Sequence, residues 1–329
     1  MSMEKDLERF GRIGGTTVSA IVGQNPLMTP HSAYLELRGE VGPTPDNEAM
    51  ARGRAYEPVI ADLFATGNSQ YRVAHNRQGT EDPEVYVDSD YPFLIGHPDR
   101  MLYDARTDEL VAGLEIKTSN ISNKRFWGEV GTDAIPVHYL IQCQWYAGLA
   151  KLPYWIVAVE FLKDDGVADS FREYRVTADS ELFETLVESA VDFWENHVVA
   201  GVPPEFEVDD TTTRWIQKKY PRSLRSLEAA TPQEEQVMAR FLREKEEFEN
   251  ARKELERAEA ELKLAIGDRD GLFSPTFGKV TWRNGKDSKR VDYHAICDEL
   301  NVDEEVVARH TKLIAAKRRF CASGLRIQL

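Results

Sequence analysis

Short runs of β-branched and aromatic residues at 71–76, 93–103, 110–118, 154–161 and 171–176 alternate with polar positions. They predict five strands of one central mixed sheet with helices on both sides, an α/β architecture. Helical spacing takes over between them. Residues 47–64 place Met50, Tyr56, Ile60, Leu63 and Phe64 at helical intervals, with Glu57 on the adjoining face. Pro58 stands inside that run, and proline in a helix interior costs about 3 kcal/mol, so the helix is expected either to begin again at Glu57 or to kink. A short helix is expected at 18–22, one opening at 135–139 and carrying Gln142, Gln144 and Tyr146, and an amphipathic one at 181–199. Gly201-Val202-Pro203-Pro204 then breaks the chain. The reading is a domain of residues 1–205 and an extension of 206–329.

The extension changes period. Phe241, Phe248, Leu255 and Leu262 recur every seven residues, with Ala251, Ala258 and Ala265 on the neighbouring seam. This predicts one long, charged, coiled-coil-like helix over 231–266 that wants one partner helix, in this chain or another. Thr231, Pro232 and Glu234 supply its N-cap, first-turn proline and capping-box partner. A basic linker helix precedes it. A small α+β tail over 272–329 follows, with strands expected at 277–282 and 319–329 and a helical stretch at 293–300.

Composition narrows the class. No apolar run approaches the roughly 20 residues needed to span a membrane, and the N-terminus is no signal peptide. A soluble, cytoplasmic protein is expected. Cys143, Cys297 and Cys321 are too scattered for a disulfide framework, a zinc site or an iron-sulfur set. The net charge of −15 argues against non-specific nucleic-acid binding over the whole surface, but not against local basic patches. Two such patches stand out: Arg214, Lys218, Lys219, Arg222 and Arg225 interleaved with Trp215 and Tyr220, and the run 312–319. The first suits a groove that tracks a nucleic-acid strand, and equally a linker helix laid over a core.

Candidate chemistry concentrates in Gly96-His97-Pro98-Asp99-Arg100 and Leu114-Glu115-Ile116-Lys117-Thr118. Residues two apart on a strand share a face, so Glu115 and Lys117 project together while Ile116 turns to the core and leaves its carbonyl beside them. Asp99 and Glu115 are the expected ligands of a hard divalent cation, which would neutralise a phosphodiester and lower the pKa of a water. Lys117 would orient or help deprotonate that water, or hold the phosphate as a point charge. Glu57 is either a solvated surface carboxylate or a third acid at the site. Gln142 and Tyr146, four apart on one helix face, either pack a core or brace Lys117 or a phosphate.

The ordered set Ile13-Gly14-Gly15-Thr16, Arg54-Ala55-Tyr56-Glu57, His97-Pro98-Asp99, Glu115-Ile116-Lys117-Thr118 and Gln142-x-x-x-Tyr146 resembles the YqaJ-type viral recombinases. These are the lambda-exonuclease-like branch of the PD-(D/E)xK nucleases, and the resemblance spans about residues 5–205. It implies a restriction-endonuclease-like sheet. It implies one Mg²⁺ or Mn²⁺ held by Asp99, Glu115 and the Ile116 carbonyl, a second completed by Glu57, and Lys117 serving the nucleophilic water, with Gln142 and Tyr146 on the family's helix motif. In relatives that digest from a 5′ end, an Arg and a hydroxyl residue near the N-terminus grip the terminal phosphate. Arg9 and Thr16 fall on those positions. His97 stands where a further hydroxyl is usual, and Thr118 is counted as a DNA contact. Many members follow the N-terminal hydroxyl with an acid; this chain has Gly15-Thr16-Thr17. The helix after it would still offer free N–H groups to a phosphate, or be capped by Thr16 or Thr17.

The expectation is a phage- or prophage-type exonuclease acting in the bacterial host cytoplasm. It would digest linear duplex 5′ to 3′ and leave 3′ single strand for an annealing protein, with a trimeric ring as the family's common assembly. A restriction-like or structure-specific endonuclease and a non-catalytic DNA-end-binding adaptor are the alternatives.

Overall fold

The computed structural model describes residues 11–42, 46–75, 85–223 and 227–283, with isolated positions between 299 and 309. Arg9, Cys297, Cys321, the basic run 312–319 and the closing strand expected at 319–329 lie outside the described residues. In chain order, α1 (Gly15–Ile21), α2 (Pro30–Leu37) and α3 (Glu48–Gly67) precede β1 (Tyr71–His75), the short β2 (Tyr86–Val87) and β3 (Ile95–Gly96), β4 (Arg100–Asp104) and β5 (Leu110–Asn120). Then come α4 (Val137–Ala150), β6 (Tyr154–Leu162), β7 (Ala168–Thr177), α5 (Ser180–Phe193), α6 (Asp210–Lys219), α7 (Pro232–Ile266), β8 (Gly271–Ser274) and β9 (Gly278–Thr281).

The expected mixed sheet is present, with five strands in the order β1-β4-β5-β6-β7. All neighbours are antiparallel except β5 and β6, which run parallel and are joined through α4. Side-chain alternation along β5 assigns its faces. Ala112, Leu114 and Ile116 join Ile60, Ala61 and Phe64 of α3 in one apolar cluster. Across the sheet, Val157 and Val159 of β6 belong to a larger cluster with Val18 of α1, Trp145 and Tyr146 of α4 and Leu186 of α5. Covered on both sides, β6 reads as a nearly unbroken apolar run.

Several elements differ from the sequence reading for identifiable reasons. The strand expected at 93–103 is two strands, because Pro98 between β3 and β4 has no N–H to give a ladder. Helix α3 runs through Pro58 and does not restart at Glu57; the Asn47 side chain caps it by accepting from the Met50 N–H at 2.9 Å. Its buried stripe is Ile60, Ala61 and Phe64, while Met50 and Leu63 are exposed. Helix α1 starts at Gly15 with Gly14 as N-cap and no side-chain cap, so neither Thr16 nor Thr17 caps it. The helix expected over 181–199 ends as α5 at Phe193, and Trp194–Val199 continue in wider π-type turns. There the Trp194 ring stacks on Phe93 at 4.4 Å.

The chain divides into two compact units, Met1–Tyr220 and Pro221–Leu329. Helix α6 is held to the first by Asp209, whose Oδ1 accepts from the Thr212 N–H and whose Oδ2 accepts from the Thr29 N–H and the Ser32 hydroxyl. In the second unit α7 opens with the expected capping box of Thr231 and Glu234. The strand expected at 277–282 is β9, paired with β8, which the sequence reading had not assigned. Among the described residues no helix is long and apolar enough to cross a membrane.

Candidate active site

The β4–β5 register builds the centre of the site. Arg100 pairs with Leu114, so one step further along the ladder Asp99 comes level with Glu115. Asp99 lies just before β4, and its Oδ2 accepts the Ile116 N–H at 2.8 Å, tying the aspartate to the middle of β5. Glu115 and Lys117 share the face opposite Ile116, and the Lys117 ammonium donates to Glu115 Oε1. Glu115 is buried at 2 % exposure, an environment that tolerates a charge only when it is paired.

Helix α4 closes over this face. Gln142 Nε2 donates to the same Glu115 oxygen at 2.8 Å and lies 3.0 Å from the Tyr146 hydroxyl. The two residues expected on one helix face are therefore buried against the carboxylate. Helix α1 seats behind them. A Cβ on Gly15 would come within 2.8 Å of Gln142 Cγ and 3.2 Å of Tyr146 Cε1, so only glycine allows this approach. A Cβ on Gly96 would likewise come within 3.1 Å of Tyr146 Cδ1, while the Trp145 indole N–H bonds the Ile95 carbonyl at 2.8 Å. Gly15 and the Gly96 of the second motif thus both serve the packing of α4 onto the site.

Glu57 approaches from the other side of the sheet. Its Oε1 accepts from Arg100 at 2.6 Å, and the same guanidinium nitrogen donates to the Asp99 carbonyl. Glu57 is near enough to act electrostatically on Asp99, but Arg100 holds it. Thr118 is part-buried near α3, 3.7 Å from where a Cβ on Gly53 would stand. Thr16 is exposed in the first turn of α1, next to Gly15 and so beside Gln142 and Tyr146. His97 is part-buried between β3 and β4. Arg9 lies outside the described residues.

Charge follows the geometry. Burial pushes the Asp99 carboxyl above its ordinary value, against the opposing pull of Lys117 and the Ile116 N–H. Burial presses the Lys117 ammonium the other way, but Glu115 and Asp99 outweigh it, and the net displacement is upward. Lys117 is a protonated donor in this state. Burial, then Lys117, lowers His138. Burial above all raises the Cys143 thiol well above its ordinary value.

The sequence reading missed Arg100 and Tyr139 as members of this cluster. The Tyr139 ring centroid lies 5.0 Å from Lys117 Nζ. Its signal was the spacing Tyr139, Gln142, Tyr146, an i, i+3, i+7 series on one helix face. Among the described residues no three His, Cys, Asp or Glu side chains converge as a ready cation site. The donors that do converge are the carboxylates of Asp99 and Glu115. They are all-oxygen, the kind a hard divalent ion takes.

Residues 7–152 match the model of the YqaJ-like viral recombinase domain family. The uncharacterized protein YqaJ of Bacillus subtilis (strain 168) is 21 % identical over 311 residues, covering 93 % of this chain and 90 % of that protein. Among solved structures, an alkaline exonuclease (LHK-Exo) from Laribacter hongkongensis aligns with a TM-score of 0.45 at 15 % identity, over 66 % of this chain and 99 % of its own. A phage related exonuclease from Haemophilus somnus 129PT aligns with a TM-score of 0.41 at 15 % identity, over 57 % of this chain and 96 % of its own.

Proposed function

We propose, from the match of residues 7–152 to the YqaJ-like viral recombinase domain, that the chain is a metal-dependent deoxyribonuclease that digests linear double-stranded DNA from its ends. The observation that carries this reading is the convergence of Asp99, Glu115 and Lys117 through the Ile116 N–H and the shared Glu115 oxygen, with Gln142 on the same atom. An acid pair beside a buried ammonium is costly to assemble and serves no packing purpose. It matches the needs of phosphodiester hydrolysis: oxygen ligands for a cation, and a positive donor for the phosphate or water.

In this reading Asp99, Glu115 and the Ile116 carbonyl hold Mg²⁺ or Mn²⁺. When bound, the ion supplies charge neutralisation for the phosphate and lowers the pKa of the attacking water. Lys117, kept protonated by its two carboxylates, orients that water or grips a phosphate oxygen rather than taking a proton in the resting state. Gln142 fixes the Glu115 carboxylate, and Tyr146 fixes Gln142. Glu57 would contribute to a second ion only once released from its pair with Arg100.

The finer reading assigns digestion from the 5′ end, release of mononucleotides and exposure of 3′ single strand for an annealing protein. Thr16, with Arg9 and His97, is the candidate grip for a 5′-phosphate. The proposed setting is the cytoplasm of a bacterial host carrying a phage or prophage. Duplexes labelled at one end at a time, bearing 5′-phosphate or 5′-hydroxyl, test this reading. Early loss of the 5′ label as mononucleotide, faster with phosphate, is expected. Early loss of the 3′ label would reverse the polarity.

A further inference from the structure

Lys117 carries its charge at the end of four methylenes, and a lysine held by one contact can swing toward solvent. Its second contact comes from α4. Tyr139 lies in the first turn of that helix, and its ring centroid is 5.0 Å from Lys117 Nζ, within the range of attraction between an ammonium and an aromatic face. The ring is backed in turn. Trp127, buried in the larger core cluster, stands 5.6 Å from Tyr139 and packs against Phe161 at 5.7 Å and Tyr174 at 5.1 Å. The ammonium also donates to Glu115. The lysine head is therefore held by a carboxylate on its own strand and by an aromatic wall anchored in the core.

We propose that Tyr139 is a positioning residue whose ring face, backed by Trp127, fixes the Lys117 ammonium over the Asp99–Glu115 site. The proposal rests on the nuclease reading for its effect on rate, but not for its geometry. The ring face attracts the ammonium and the hydroxyl is not required, so phenylalanine serves and an aliphatic side chain of similar size does not. An interaction of this kind corresponds to a change of about twofold to thirtyfold in rate.

The test compares the full-length wild-type protein with Tyr139→Phe and Tyr139→Leu. For Tyr139→Leu we expect kcat on linear duplex with Mg²⁺ to fall by roughly that factor with KM for DNA little changed, and Tyr139→Phe to recover most of the loss. Carbon-13 NMR of the lysine Cε position, assigned to Lys117 with a Lys117→Arg variant, gives a readout that needs no turnover. The ring-current shift on Lys117 is expected in the wild type and Tyr139→Phe and lost in Tyr139→Leu. Thermal melts accompany both, because a merely structural role would lower the melting temperature and raise KM together. Equal kcat in Tyr139→Leu and wild type, or an unshifted Lys117 Cε in the wild type, would overturn the proposal, as would a Tyr139→Phe variant as impaired as Tyr139→Leu. A wild-type protein that shows the Lys117 shift but cuts no DNA would instead overturn the nuclease reading.

Discussion

Glu115 is the residue on which three contributions meet: its own strand supplies Lys117, α4 supplies Gln142, and the Asp99–Ile116 bond fixes the strand beneath it. Replacing Lys117 by Met removes the ammonium that pairs with Glu115 and offsets Asp99, and nuclease activity should fall by about 10²–10⁴-fold. Initial rates on a linear duplex measure this, and a Lys117→Met protein within a few fold of wild type would remove Lys117 from the chemistry. Gly15→Ala acts from behind. Its new Cβ meets Gln142 at 2.8 Å, and over-packing of this kind costs about 1–3 kcal/mol. The expected result is a lower melting temperature and a lower rate, because Gln142 has to give way. The common face of Glu115 and Lys117 was legible from the period of a strand. The Arg100–Glu57 pair was not, because the face Arg100 takes is set by its register with Leu114, which the sequence does not state.

Helices α2 and α6 carry a pH dependence of their own. Burial raises the Glu36 carboxyl to about 7, with Arg214 opposing and Asp209 adding to the rise. A carboxyl whose folded pKa lies above its unfolded value favours folding while it is protonated. That contribution is fully present below about 4.5 and is lost as the pH climbs to about 7. Glu36→Gln should therefore stabilise the protein at pH 8 by about 1–3 kcal/mol and change little at pH 4.5. Melting curves at both pH values check it, and equal shifts at the two would count against a titrating Glu36. The polar latch around Asp209 shows what pattern reading leaves out at this scale. The break at 201–204 was visible from glycine and proline, but the bonds that bring α6 back to Thr29 and Ser32 join residues about 180 positions apart. The start of α7 was legible because its capping box is local, whereas α1 begins three residues earlier than its apolar spacing implied, at Gly15, which packs against Gln142 and Tyr146 of α4.

At the scale of the whole molecule, the mixed sheet could be anticipated from five apolar runs, and the face that carries the candidate site from two short motifs. The parallel pairing of β5 with β6 through α4 is what brings that helix onto those motifs, since it lays Tyr139, Gln142 and Tyr146 over Glu115 and Lys117. The proposed ring assembly predicts a solution mass near three times 37.4 kDa by light scattering, and a monomer at micromolar concentration would contradict it. The central claim is that this site hydrolyses DNA from its ends with a divalent cation. Its most direct test is to incubate the full-length protein, and its Asp99→Ala variant, with one plasmid in linear and covalently closed form, in Mg²⁺ or EDTA. Digestion of the linear form alone, by the wild type alone and in Mg²⁺ alone, is expected. Cutting of the closed circle, or digestion by Asp99→Ala at the wild-type rate, would contradict that claim.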